Sequence, residues 1–127
     1  MHSRLRSFPG AAVLVLAVAL SLTAAASPRT DRLVTFLADH DSYRVRAQAA
    51  QSLGRVGDAR AVDALVSALG DDHAAVRAAA ALALGRIGSP AALGALDDLA
   101  RDTSQPESVR IQARRARDMI RDASARA

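Results

Sequence analysis

The 127-residue sequence has no cysteine, no tryptophan, no lysine, one glutamate and three aromatic side chains, Phe8, Phe36 and Tyr43. Without Cys there is no disulfide, no Cys-ligated zinc, no thiolate nucleophile and no N-terminal cysteine for lipidation. Without Lys there is neither a Schiff-base catalyst nor a P-loop. So few aromatics leave no stacking platform for single-stranded nucleic acid. Alanine is what the chain has in quantity, 31 residues, and all 17 of its basic residues are Arg against 12 Asp and Glu107. That composition, at this length, reads as one helical domain.

The formal net charge of +4 invites a polyanion reading, but its distribution does not support one. His2, Arg4 and Arg6 open the chain, and no acid precedes Asp31. Residues 11–22, AAVLVLAVALSL, are apolar apart from Ser21, and Ala24-Ala25-Ala26 offers a small-x-small exit before Ser27-Pro28. A positive start, an apolar stretch and a small-residue exit predict a secretory signal peptide over residues 1–26. The alternative is an uncleaved N-terminal membrane anchor, yet residues 11–26 number 16, short of the about 20 that a spanning helix needs. Arg4 and Arg6 are not adjacent, so no twin-arginine route is indicated. Removal of residues 1–26 leaves 15 Arg against 13 acids, a balance of +2. The expectation is a periplasmic or secreted protein that does not bind nucleic acid.

The remainder repeats. Val45–Ala75 laid over Val76–Pro106 without gaps matches at 13 of 31 positions. A third copy begins at Val109-Arg110, two residues late, and residues 33–41 resemble the second half of a unit. Val45, Ala49, Ser52, Leu53 and Val56 fall on one helical stripe, which Val76, Ala80, Ala83, Leu84 and Ile87 reproduce. Gly57 and Gly88 end those helices, and Asp58 or Ser89 can cap the next. Val62, Leu65, Val66 and Leu69 form the stripe of a second helix. Ser104-Gln105-Pro106-Glu107 has capping-box spacing. Six helices are predicted near 30–38, 42–56, 59–69, 73–87, 90–101 and 106–122, followed by a disordered tail at 123–127. A fixed period in this range means a stacked array, and its alanines, with Gly54 and Gly85, become residues of close helix approach. The half-repeat is 30–41, the full repeats are 42–72 and 73–103, and the terminal helix is 106–122.

VRAAAALALGRIGSPAALGAL and VRAQAAQSLGRVGDARAVDAL resemble the short HEAT repeats of the phycobilisome-lyase type, over roughly residues 31–122. The resemblance implies an all-α fold, a short α-solenoid of antiparallel helix pairs whose second helices line a concave binding face. It also implies that Arg46 and Arg77 pair with an Asp of a neighbouring repeat, for which Asp41 and Asp72 are the expected partners. Two departures stand out: Asp97 replaces Val66 of the preceding repeat, and Arg117 replaces Leu53 and Leu84. A polar outer face on the last helix suits the end of an array.

The candidate partner-binding residues follow from this placement. Asp63, Ser67, Asp97 and Asp98 lie on second helices and would make the concave face mildly acidic, suited to a basic segment of another protein. Arg110, Arg114, Arg117 and Arg121 follow one another at helical spacing, with Asp118 placed to offset Arg114. That stripe is either a solvated cap or a docking surface for an anionic partner, such as an acidic protein or an anionic envelope surface. His40 and His73 lie near carboxylates but are not register equivalents, so no metal site is expected; Asp41 and Asp72 read instead as helix caps. No catalytic constellation and no cofactor pocket is legible. The sequence therefore predicts an exported, non-catalytic scaffold for another protein. The alternatives are an accessory subunit of a lyase-like or chromophore-handling enzyme and a membrane-tethered envelope module.

Overall fold

The computed structural model describes residues 28–127; the expected signal peptide lies outside the described residues. Among these, the secondary structure is helical: α1 (28–39), α2 (Tyr43–Val56), α3 (Val62–Ala68), α4 (Ala74–Ile87), α5 (Leu93–Arg101) and α6 (Glu107–Arg126). Single 3₁₀ turns, Ala59–Ala61 and Pro90–Ala92, lead into α3 and α5. Gly57 and Gly88 end α2 and α4 at φ 73° and 77°, where a Cβ would be strained, and their N–H groups close on Leu53 and Leu84.

Three local expectations change. Helix α6 continues to Arg126, over most of the expected tail, because no Gly or Pro follows Pro106 and Ala123 and Ala125 favour the helix. The capping box does not form. Pro106 is the N-cap and makes no side-chain cap, while Ser104 turns back on Asp102 through its N–H and hydroxyl. Asp41 and Asp72 are not caps either. His40 Nδ1 accepts from Ser42 N, Asp71 Oδ1 accepts from His73 N, and His73 Nδ1 accepts from Ala75 N. The residue one earlier in the register, 40, 71 or 102, is the one whose side chain turns the loop.

Helices α2, α4 and α6 lie side by side in one layer. In the other, α3 packs chiefly on α4 and α5 on α6, while Leu33 and Phe36 of α1 flank Val45 and Ala49 of α2. The first layer is held at close range by glycine. A Cβ on Gly54 would stand 2.8 Å from Ala83 Cα, and one on Gly85 would stand 2.8 Å from Ala116 Cα. Leu53, Leu65, Leu84, Leu96 and Ile120 are fully buried between the layers. The terminal stripe of Val109, Ala113, Ala116 and Ile120 is fully buried as well. On α5, Leu99 is buried, which offsets the weakened stripe at Asp97.

Candidate partner-binding surface

The inter-repeat arginine is built into the loop ends. Arg46 Nε and Nη2 donate to Asp71 Oδ2 and Oδ1 at 2.9 and 3.0 Å, a bidentate pair across 25 residues. Its Nη1 donates to the carbonyls of His40 and Asp41. The pairing with a neighbouring repeat thus forms, but with Asp71 in place of the expected Asp41 or Asp72. Burial opposes ionisation of Asp71; the hydrogen bonds from Arg46 and His73 N, with the charges of Arg46 and Arg77, outweigh it and hold its pKa below the usual carboxylate range. Arg77 repeats only half of the arrangement. Its Nη1 donates to Asp71 O at 2.7 Å, while Asp102, the register equivalent of Asp71, bonds to Ser104 and Gln105 across the lengthened loop. Those bonds, Ser104 first, lower the Asp102 pKa.

A second carboxylate ties α1 to the turn after α2. Thr30, buried at the position Ala61 and Ala92 hold in later repeats, donates to Asp58 Oδ2 at 2.8 Å. Asp58 also accepts from the N–H and guanidinium of Arg60. The Arg60 side chain first, then its N–H and the Thr30 hydroxyl, hold Asp58 well below the usual range.

The face of α1, α3 and α5 carries three open depressions that share Gly70. One of about 320 Å³ lies between α1 and α3, lined by Leu37, Ala64, Ser67 and Ala68. One of about 330 Å³ lies between α3 and α5, lined by Leu69, Ala95, Asp98, Leu99 and Asp102. The third, of about 370 Å³, sits at the loop ends with Asp39, Asp41, Asp71 and Asp72 on its wall and Arg46 as the basic lining residue. Small side chains at Gly70, Ala64 and Ala95 leave the floor low, and carboxylates form the rim. All three are open to the surface rather than enclosed.

Of the residues singled out from sequence, Asp63, Ser67 and Asp98 are exposed; Ser67 and Asp98 line these depressions and Asp63 does not. Asp97 is not available there. It points to α6, where Arg117 Nη1 donates to it at 3.2 Å and Arg121 Nη2 at 3.4 Å. The two departures from the repeat pattern are therefore one pair, acid and base replacing Val66 and Leu84 at equivalent positions. The arginine stripe is accordingly not a free basic surface. Arg117 is bound on both sides, by Asp97 and by Asp118, which takes Arg117 rather than Arg114. Arg110 and Arg114 are half-buried, and Arg121 alone of the four is exposed. Sequence reasoning missed Asp39, Asp71 and Asp102, and read Asp41 and Asp72 as helix caps and arginine partners rather than as residues lining the depressions. The register equivalence of positions 71 and 102 is the signal that was there to find.

The histidines are used locally. His73 stacks on Tyr43 at 3.6 Å between centroids and 3° between planes, and His40 meets Phe36 edge-on at 6.0 Å. Among the described residues, no group of three or more His, Asp or Glu is arranged to hold a metal ion, and no helix is long and apolar enough to cross a membrane.

Two layers of helices in register, with glycine contacts inside one layer and an arginine tying neighbouring repeats, define an α-solenoid. The family described as HEAT repeats matches residues 30–117, well over half of the chain, and the chain belongs to that family. HEAT repeats generally serve as protein-interaction scaffolds and are typically non-catalytic. A search of curated proteins finds no match to the chain.

Proposed function

We propose that this chain is an exported, non-catalytic HEAT-repeat scaffold that holds a basic segment of a partner protein along the α1–α3–α5 face. One observation carries the reading: the depressions that meet at Gly70 are lined by small residues and by the carboxylates of Asp39, Asp41, Asp72, Asp98 and Asp102, besides Asp71, which Arg46 holds. Carboxylates concentrated on one face steer a cationic partner and fix its register. Export rests on the N-terminal sequence, and the N-terminal mass of the protein recovered outside the cytoplasm tests it. Binding is tested with a labelled peptide of alternating Arg and Ala. Affinity should fall steeply from low to high salt, and Asp72→Arg with Asp98→Arg should weaken it by about tenfold or more. Unchanged affinity in that double variant removes the acidic face from consideration. Crosslinking in the native envelope fraction then identifies the protein that supplies the segment.

A further inference from the structure

Two depressions on the α1–α3–α5 face are the same site in successive repeats. The one between α1 and α3 is lined by Ala38, Ala64, Ser67, Ala68 and Asp71, and the one between α3 and α5 by Leu69, Ala95, Asp98, Leu99 and Asp102. Each residue of the second set stands 31 positions after its counterpart in the first. The earlier depression is satisfied. Its carboxylate, Asp71, takes Arg46 in a bidentate pair, and its other polar position is Ser67. The later one is not. Asp98 replaces Ser67, and Asp102 accepts from Ser104 and Gln105; among the described residues no arginine donates to either carboxylate. Gln105 lines the same depression, and its Oε1 is buried without a donor.

The cause lies in the loop before α6, which carries two more residues than the loop before α4. Arg77 stands to Asp102 in the register as Arg46 stands to Asp71. It reaches the Asp71 carbonyl instead, and its Nε is buried with no acceptor. Arg110 is felt at Asp102 through its charge and donates no hydrogen bond to it; two carboxylates against that one arginine leave the depression net acidic. Its other walls, Leu69, Ala95 and Leu99, are apolar. Acceptors at one end with apolar walls beside them suit a long side chain that ends in several donors. We propose that the α3–α5 depression is a pocket for an arginine side chain of the partner, its guanidinium donating to Asp98, Asp102 and Gln105 Oε1 and its stem lying along Leu69 and Leu99. The chain's own Arg46 on Asp71 is the precedent one repeat earlier. Lysine fits less well, because an ammonium lacks the planar fork that meets both oxygens of a carboxylate. This pocket rests on the reading proposed above, that the face holds a basic segment; it specifies which basic residue is selected and where it sits.

The selection is tested on the full chain with two labelled peptides of equal charge, one alternating Arg and Ala, the other Lys and Ala. The Arg peptide should bind about tenfold more tightly. Asp98→Ser with Asp102→Asn gives this depression the serine of the earlier one and removes its carboxylates. It should bring the two peptides within about twofold of each other. Asp39→Asn with Asp41→Asn, at the loop ends, should weaken both peptides and keep their ratio. Thermal melting shows whether each variant is folded, and Asp98→Asn alone, an isosteric change at an exposed position, should already reduce the ratio. Occupation of the pocket is read by NMR with N-acetylarginine amide as the probe. The sequence has no Asn and four Gln, so few side-chain amides share the spectrum with Gln105. The Gln105 amide should shift with that probe and not with N-acetyllysine amide. Equal affinities for the two peptides, or a ratio that survives the double variant, overturn the pocket and leave the acidic face standing. A Gln105 shift with the arginine probe when neither peptide binds keeps the pocket and overturns the segment reading. An unmoved Gln105 amide overturns the pocket in either case.

Discussion

Glycine is required at some helical positions and only tolerated at another, and alanine substitution separates the two. At Gly54 and Gly85 the missing Cβ is what allows Ala83 and Ala116 to approach, with 2.8 Å left to backbone. Alanine there gains helix propensity but must displace a helix, and overpacking costs about 1–3 kcal/mol. Each variant should lose about 1 kcal/mol or more of unfolding free energy in urea titrations. Gly94, exposed on α5 with nothing within 4 Å of where a Cβ would stand, is the control; its alanine variant should gain about 0.5–1 kcal/mol. Charge gives a second prediction at this scale. Asp71 has its pKa lowered on folding, so its ionisation stabilises the fold above the unfolded-state value of about 3.9 and that contribution is lost as pH falls through the folded value. Melting temperature should be flat from neutral to mildly acidic pH and fall below about pH 4. Asp71→Asn should lower neutral-pH stability by about 1–3 kcal/mol and make the acid fall shallower.

Among elements, the contact between α5 and α6 replaces an apolar pair by an ionic one. Asp97 and Arg117 stand where the preceding repeat has Val66 and Leu84, and each satisfies the other. Asp97→Val alone leaves Arg117 half-buried against an apolar side chain and should lower the melting temperature. Asp97→Val with Arg117→Leu restores the pattern of the earlier repeat and should melt at or above the parent, since apolar replacement of a tied ion pair is often neutral or stabilising. Independent, additive effects in that double-variant cycle would show that the pair is not coupled. The stripe periodicity of α2, α4 and α6 was legible in the sequence because buried positions recur at helical spacing. The pairing was not: Asp97 and Arg117 are 20 residues apart, and each reads as an isolated polar departure until the helices are docked.

For the whole molecule, a short array whose layers share a few buried leucines should unfold as one unit. Leu84, fully buried on the central helix α4, tests this. Leu84→Ala should cost about 2–5 kcal/mol and shift one cooperative transition, whereas two resolved transitions would show that the repeats unfold separately. The sequence alone determined the period near 31 residues, the helices, the glycine turns and the HEAT-like class, because these depend on spacing along one chain. It also bounded the chemistry, since residue types that are absent cannot be supplied by folding. Tertiary structure decided which acid answers which arginine: Asp71 rather than Asp41 for Arg46, and Asp97 rather than solvent for Arg117. It also decided that the acidic depressions converge at Gly70 and that, among the described residues, no helix covers the α2 face of Val45, Ala49 and Ser52. Pairing and exposure depend on which helix lies alongside which, and that is set by the fit of small residues across the layer, at distances that sequence spacing does not encode.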